Sequence, residues 1–457
     1  MKINSKHILS LIVTIALLAL SAPHLAAELP EFTPGISYET FGASSLEVIL
    51  VDLDEDNHLD LAASTGNNGY SLFILINRGN GTFKPPENYF TGGMVYSIAA
   101  ADLDSDEDLD LVLPNLSQDY TTVLSNDGNG AFMIKESYPV GVRPTGVAAV
   151  DLNGDTYPDL AIVNDQSDNM SILMNNGDGT FQDTVNYATG DYPESISAVD
   201  LDGDNDYDLA VPNLWTDNVS VFLNNGDGTF QPAVHYATGH YSEFVFSADF
   251  DNDNDNDLAV SNIWYNDISI LLNNGNGTFE PATNYEVGRE PLCIYGDDLN
   301  ADGDIDLVTS NEWDDGISIL EGNGDGTFAE PVVYSTPPRP HSVYGGDIDN
   351  DGDIDLAVAF AYPHEHRGSV FILHNQLNPN PSIICGDANN DSNVNISDAV
   401  LIINYVFTGG AEPQPYLAGD VNCDAAANVS DAVWIINYIF IGGKEPCDVY
   451  GGENPDC

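Results

Sequence analysis

Residues 200–209 read Asp200-Leu-Asp-Gly-Asp-Asn-Asp-Tyr-Asp-Leu209, five carboxylates within nine residues. Alone in water such a segment repels itself and stays unfolded. It nevertheless recurs. Its first Asp returns as Asp52, Asp102, Asp151, Asp200, Asp249, Asp298 and Asp347, at one spacing of 50 and then always 49. Each copy reads Asp-x-Asp/Asn-x-Asp-x-x-x-Asp-Leu and closes on Leu61, Leu111, Leu160, Leu209, Leu258, Leu307 or Leu356. A fixed period of this length marks one supersecondary unit stacked on copies of itself.

The flanks define the unit. Ile196–Val199 precedes the acidic loop; Leu209–Val211 and Val219–Leu223 follow it. The turn Asn224-Asn-Gly-Asp-Gly228 then leads into a segment from Thr229 towards Tyr236. Short alternating apolar segments bounded by Gly, Asn and Asp read as strands joined by hairpins. Four strands per unit is one propeller blade, so seven units predict an all-β, seven-bladed β-propeller. The seventh unit lacks a fourth strand after Phe371–Leu373. Phe32 and Tyr38, with the six-residue spacing of Phe181 and Tyr187, supply one before the first unit. The N-terminal stretch is therefore expected to complete the seventh blade and close the ring.

The 457 residues are 42% hydrophobic and 10% aromatic, enough for a core, yet carry 73 acidic against 10 basic residues. That balance excludes nucleic acid and anionic membrane surfaces as default partners. It leaves cation binding or a surface suited to a salty medium. Lys2 and Lys6, the apolar run Ile8–Leu20 and Leu25-Ala26-Ala27 form a secretory signal pattern, which puts the mature protein outside the cell. The expected organisation is a signal peptide at 1–27, a propeller at 28–376, a linker at 377–384, a small domain at 385–446 and a Cys-containing tail at 447–457.

Oxygens at loop positions 1, 3, 5 and 9 suit a hard cation with six to eight oxygen ligands, which describes Ca2+. The candidate ligands are Asp52, Asp54, Asp56 and Asp60; Asp102, Asp104, Asp106 and Asp110; Asp151, Asn153, Asp155 and Asp159; Asp200, Asp202, Asp204 and Asp208. The remaining blades offer Asp249, Asp251, Asp253 and Asp257; Asp298, Asn300, Asp302 and Asp306; Asp347, Asp349, Asp351 and Asp355. Position 7 varies among His58, Asp108, Tyr157, Asp206, Asp255, Asp304 and Asp353, so a backbone carbonyl is expected to serve there. Neither His nor Cys recurs in the loop, which argues against zinc. The pattern resembles the FG-GAP family, also called VCBS repeats, over roughly residues 31–376. That resemblance implies calcium ions with a structural role, tying the first two strands of each blade.

After Asn378-Pro-Asn-Pro381 the composition changes. Two twelve-residue EF-hand-like loops, thirty-three residues apart, each lead into an apolar helix. Their candidate ligands are Asp387, Asn389, Asp391, Asn395 and Asp398, then Asp420, Asn422, Asp424, Asn428 and Asp431. The pair resembles a type I dockerin, although Ser392 and Ala425 stand where the loop usually has Gly. The resemblance implies docking to a cohesin domain, with Ile396-Ser397 and Val429-Ser430 where contact residues fall. Cys385, Cys423, Cys447 and Cys457 allow three pairings, of which Cys423–Cys447 with Cys385–Cys457 would tie the domain's termini. Cys293, in a first strand, reads as a buried thiol.

Trp215, Trp264, Trp313 and Tyr362 recur at one position after the second strand of blades 4 to 7, with Asn213, Asn262 and Asn311 two residues before the tryptophans. Arg143, Tyr192, Tyr241, Glu290 and Arg339 occupy the inter-blade connection, expected on the same face. Flat apolar rings with amides and a few Arg suit a glycan, so Trp215, Trp264, Trp313, Tyr362, Arg143, Tyr192, Tyr241 and Arg339 are the expected ligand contacts. Evidence for catalysis is thin: His364-Glu365-His366 reads as a surface turn, and Glu194, Glu243 and Glu290 are the available carboxylates. The expected function is a secreted, calcium-binding, non-catalytic protein that recognises glycans or glycoproteins and docks to a cohesin. A polysaccharide-cleaving propeller enzyme and an integrin-like adhesion protein are the alternatives.

Overall fold

The structure, a computed structural model, describes residue 30 and residues 32–40, 45–66, 71–361 and 368–376. The chain divides into two compact units, Met1–Leu377 and Asn378–Cys457. The described residues of the first unit form seven four-stranded antiparallel sheets. Each sheet runs in sequence order from the inner strand outwards; blade 4, for example, is Ser197–Val199, Asp208–Asn213, Asn218–Phe222 and Val234–Ala237.

Blade 7 is the exception and closes the circle as expected. Its first three strands are Pro340–Gly346, Asp355–Phe360 and Gly368–Asn375, and Phe32–Thr40 pairs antiparallel with the third, from Phe32 opposite Asn375 to Thr40 opposite Gly368.

Second strands are buried on both faces, as Asp208–Asn213 is along its whole length. The core therefore lies between blades: Leu201, Ala210, Val219 and Val221 of blade 4 pack on Val245, Leu258, Val260, Leu271 and Phe279 of blade 5. The same layer recurs around the ring and seals the closure, where Val48, Leu61 and Leu75 meet Ile348, Ala359 and Val370. The Phe and Tyr of the sequence repeat now acquire a role. Each outer-strand Tyr meets the turn Phe of the next blade edge-on, as in Tyr187–Phe230 and Tyr236–Phe279 at 5.4 and 5.1 Å. Tyr38–Phe83 and Phe32–Tyr334 are the two pairs that the N-terminal strand supplies.

A side-chain stitch joins the loops. Asn224 donates its amide to the carbonyl of Tyr207 in its own blade and of Leu152 in the preceding one. Asn77, Asn126, Asn175, Asn273 and Asn375 repeat this, and Asn77 reaches Ile348 across the closure. Blade 6 has Gly322 instead, where a Cβ would stand 2.3 Å from the Ile305 carbonyl oxygen.

Candidate functional site

Three sites emerge from this frame: the acidic loops on one rim, the aromatic turns at the opposite ends of the second strands, and the central channel.

Each acidic loop alternates its backbone. Positions 4 and 6 take positive φ in all seven: Glu55/Asn57, Ser105/Glu107, Gly154/Thr156, Gly203/Asn205, Asn252/Asn254, Ala301/Gly303 and Asn350/Gly352. This winds the chain around the first carboxylate. In blade 4, Gly203 N–H donates to Asp200 Oδ1 at 2.8 Å and Asn205 N–H to Oδ2 at 2.9 Å, while Asp206 N–H donates to Asp204 Oδ1 at 3.0 Å. Asp208, at position 9, is fully buried and bridges two segments: Oδ2 accepts from Leu201 N–H at 2.9 Å and Oδ1 from Asn224 N–H at 2.7 Å. Burial pushes Asp208 up to about 6 and its equivalents Asp257 and Asp306 up to about 7.

Position 3 behaves differently. Asp54, Asp104, Asp202, Asp251 and Asp349 each keep a buried Oδ1 with no hydrogen-bond partner. Ligand atoms of positions 1, 3 and 9 lie within 4.8 Å of one another in Asp52/Asp54/Asp60, Asp200/Asp202/Asp208 and Asp249/Asp251/Asp257. Orphaned carboxylate oxygens facing other carboxylates fit a hard cation. Position 7 side chains lie against turn glycines, Tyr157 on Gly177 and Asp206 on Gly226, so they are engaged outside the loop. The two EF-hand-like loops, from Asp387 to Asp398 and from Asp420 to Asp431, lie outside the described residues, as do residues 1–27 and four of the cysteines. Cys293 is a buried free thiol, as expected, with its pKa pushed up to about 12 by burial.

On the opposite face Trp215, Trp264 and Trp313 are 57, 66 and 57% exposed, large values for indole rings. Tyr192 stacks on Trp215 with centroids 4.3 Å apart and planes 7° from parallel, and Tyr241 on Trp264 at 5.7 Å and 25°. In the connection Arg143, Tyr192, Tyr241, Glu290 and Arg339 all have positive φ. The N–H of each is held by the side chain of Asp119, Asp168, Asp217, Asn266 or Asp315, at 3.0–3.2 Å. Sequence reading missed His240 and Tyr265, whose rings lie 6.1 and 5.6 Å apart from Trp264 and His240 respectively, widening the blade 5 platform.

One expectation needs correction. Asn213, Asn262 and Asn311 are fully buried, and their amides bond within the hairpin, Asn213 to Asn218 and Ser220. They are turn braces rather than ligand contacts. Arg143 pairs with Asp165 at 3.1 Å and Arg339 with Glu312 at 2.5 Å. Glu290 shares the connection position of Tyr192 and Tyr241 and sits beside Glu312, Arg339 and Arg289. Tyr362 and His364-Glu365-His366 lie outside the described residues.

The channel itself was not anticipated. First strands and the residues leading into them place Glu47, Tyr96, Thr145, Glu194, Glu243, Leu292 and His341 at one level, one per blade and 49 apart. Tyr96 Oη reaches Glu243 Oε1 at 3.3 Å, and its ring lies edge-on to His341 at 5.6 Å. Glu47 accepts from Ile98 N–H. His341 Nδ1 lies 2.8 Å from the Leu46 carbonyl oxygen, which only accepts, so Nδ1 carries the proton. Burial pushes Glu47 up to about 8 and Glu243 up to about 7, and raises Glu194, to which the charge of Glu243 adds.

The FG-GAP-like repeat family matches residues 52–113, 151–211 and 298–358, and the dockerin type I domain matches residues 385–440. No curated protein matches. Among solved structures, BBS1N in complex with ARL6DN is 11% identical at a TM-score of 0.55, covering 75% of this chain and 97% of that one. A Lactobacillus plantarum protein is 13% identical at 0.51, covering 65% and 86%. A putative 6-phosphogluconolactonase from Bacteroides fragilis is 14% identical at 0.51, covering 65% and 85%. At these identities the likeness shows the propeller fold alone.

Proposed function

We propose that this chain, which is a β-propeller of FG-GAP-like repeats carrying a C-terminal type I dockerin domain, is a secreted, calcium-binding, non-catalytic recognition component. Its dockerin domain docks to a cohesin, and its propeller presents a glycan or glycoprotein site. The observation that carries the glycan reading is the row of exposed Trp215, Trp264 and Trp313 rings, two of them backed by stacked tyrosines. Isolated exposed apolar residues are ordinary, but aligned indoles on braced turns form a preorganised apolar surface, the kind on which sugar rings stack. The seven acidic loops hold calcium as structural ions, through positions 1, 3, 5 and 9 and the position 7 carbonyl. The orphaned position 3 oxygens support this reading.

A second reading rests on Glu194 and Glu243, neighbouring channel carboxyls held above the usual carboxylate range. Glycosidases use such pairs as acid and base. One experiment separates the two: the full chain is screened on a glycan array in millimolar calcium, beside a Trp215→Ala/Trp264→Ala/Trp313→Ala variant. Released oligosaccharide is measured on every hit, with Glu194→Gln/Glu243→Gln as control. Binding without product that falls at least tenfold in the folded Trp variant supports recognition. Product that disappears in the Glu variant supports the enzyme. Silence in every arm sinks the glycan reading and turns the search to a protein partner.

A further inference from the structure

The seventh acidic loop differs from the others through a residue outside it. His374 ends the third strand of blade 7, at the position held by Ile76, Ser125, Met174, Leu223, Leu272 and Glu321 in blades 1 to 6. Its Nδ1 lies 3.4 Å from Asp355 Oδ2 and 3.5 Å from Asp349 Oδ2. Those separations are too long for charge-assisted hydrogen bonds, which run at about 2.7–2.9 Å. They match the edge of a tetrahedron, about 3.4 Å, whose metal–ligand bonds are about 2.1 Å.

Two further observations converge. His374 Nδ1 and Asp349 Oδ1 are both buried with no hydrogen-bond partner, and the three side chains offer ligand atoms within 4.8 Å of one another. The imidazole is also wedged in place. A Cβ on Gly35, in the N-terminal strand, would approach His374 Cδ2 and Nε2 to 3.0 and 3.1 Å, and one on Gly81, in the blade 1 turn, would approach Cε1 to 3.0 Å. Glycine at both places leaves the ring room to sit with Nδ1 aimed at the carboxylates.

We infer that the seventh loop is a mixed nitrogen–oxygen metal site, taking a zinc-class divalent ion through His374 Nδ1, Asp349 and Asp355. This rests on the reading of the loops as cation sites and alters the identity of one ion. Calcium takes oxygen ligands, whereas imidazole suits zinc, cobalt and related ions. The ion would sit where the N-terminal strand, the third strand of blade 7 and the turn of blade 1 meet, clasping the ring at its closure.

The test uses the full chain with His364 and His366 replaced by Asn, saturated with calcium and titrated with Co2+. One equivalent should bind and give the visible absorption of a nitrogen-ligated site. His374→Gln should abolish that absorption while bound calcium, measured by elemental analysis, stays within one equivalent of the parent. No cobalt absorption in the parent, or absorption that survives in His374→Gln, overturns the inference. A protein that holds no calcium overturns the underlying cation reading instead, so the two failures are distinct. Should His374→Gln not fold, zinc-edge anomalous scattering from crystals of the unmutated chain decides: a peak within bonding distance of His374 Nδ1 supports the site, and a bare loop refutes it.

Discussion

Within one acidic loop, neighbouring carboxylates have separable work. Asp208 accepts two buried backbone N–H groups, from Leu201 and Asn224, so it holds the second strand to the ends of the loop and the third strand with or without an ion. Asp202 keeps an orphaned buried oxygen, which a bound cation would satisfy. Removing an acceptor from a buried donor costs about 1–3 kcal/mol per group. Asp208→Ala should therefore lower stability by roughly 2–6 kcal/mol in chelator as well as in calcium. Asp202→Ala should leave stability in chelator unchanged or slightly higher, and lose about one calcium equivalent. Denaturant melts in both media, with calcium counted by elemental analysis, check this. Equal calcium dependence in the two variants would sink the division of labour.

Strands and loops were legible because their constraints repeat. Positive φ at loop positions 4 and 6 recruits Gly and Asn often enough to be seen, and the period of 49 aligns every blade. The channel escaped notice for the opposite reason. Glu47, Tyr96, Thr145, Glu194, Glu243, Leu292 and His341 share a position, but only the three Glu share chemistry and they fall in blades 1, 4 and 5, so no repeat runs through all seven. Asn213 misled because an amide beside an exposed Trp looks available, while in the hairpin it turns inward to Asn218 and Ser220. His374 was hidden because its position holds mainly apolar residues in the other blades.

The convergence of first strands has a measurable consequence. Glu47 and Glu243 are pushed up to about 8 and about 7, from an ordinary value of 4.5. A carboxyl raised by folding gives its full stability below its unfolded pKa and loses it as pH rises through the folded value. Stability in saturating calcium should accordingly fall from about pH 5 to pH 8, by at most about 1.4 kcal/mol per pH unit for each such proton. Glu47→Gln should flatten that slope and be more stable than the parent at pH 8. An unchanged slope between the two proteins refutes the assignment.

At the scale of the whole molecule, a ring is only as strong as its last joint. Blades 1 to 6 are each made from contiguous chain, whereas blade 7 needs Phe32–Thr40 from the far end of the propeller. That strand buries little of its own length, but it supplies a backbone ladder to Gly368–Asn375, interrupted once between Pro34 and Ser37, and both closure pairs, Phe32–Tyr334 and Tyr38–Phe83. Truncating one fully buried aromatic side chain costs about 3–5 kcal/mol; Phe32 and Tyr38 are each half-buried, so a mature chain shortened to begin at residue 45 should lose about as much from the two together. The exposed third strand would then present unpaired N–H and C=O groups, which seek another strand. The shortened protein should elute as concentration-dependent oligomers. A synthetic peptide of residues 30–40 should return it to the monomer and recover most of the lost thermal stability, whereas a Phe32→Ala/Tyr38→Ala peptide should not. If the shortened chain melts and elutes like the parent, the closure is carried by the apolar layer between blades 7 and 1 alone, and the N-terminal strand is dispensable to the ring.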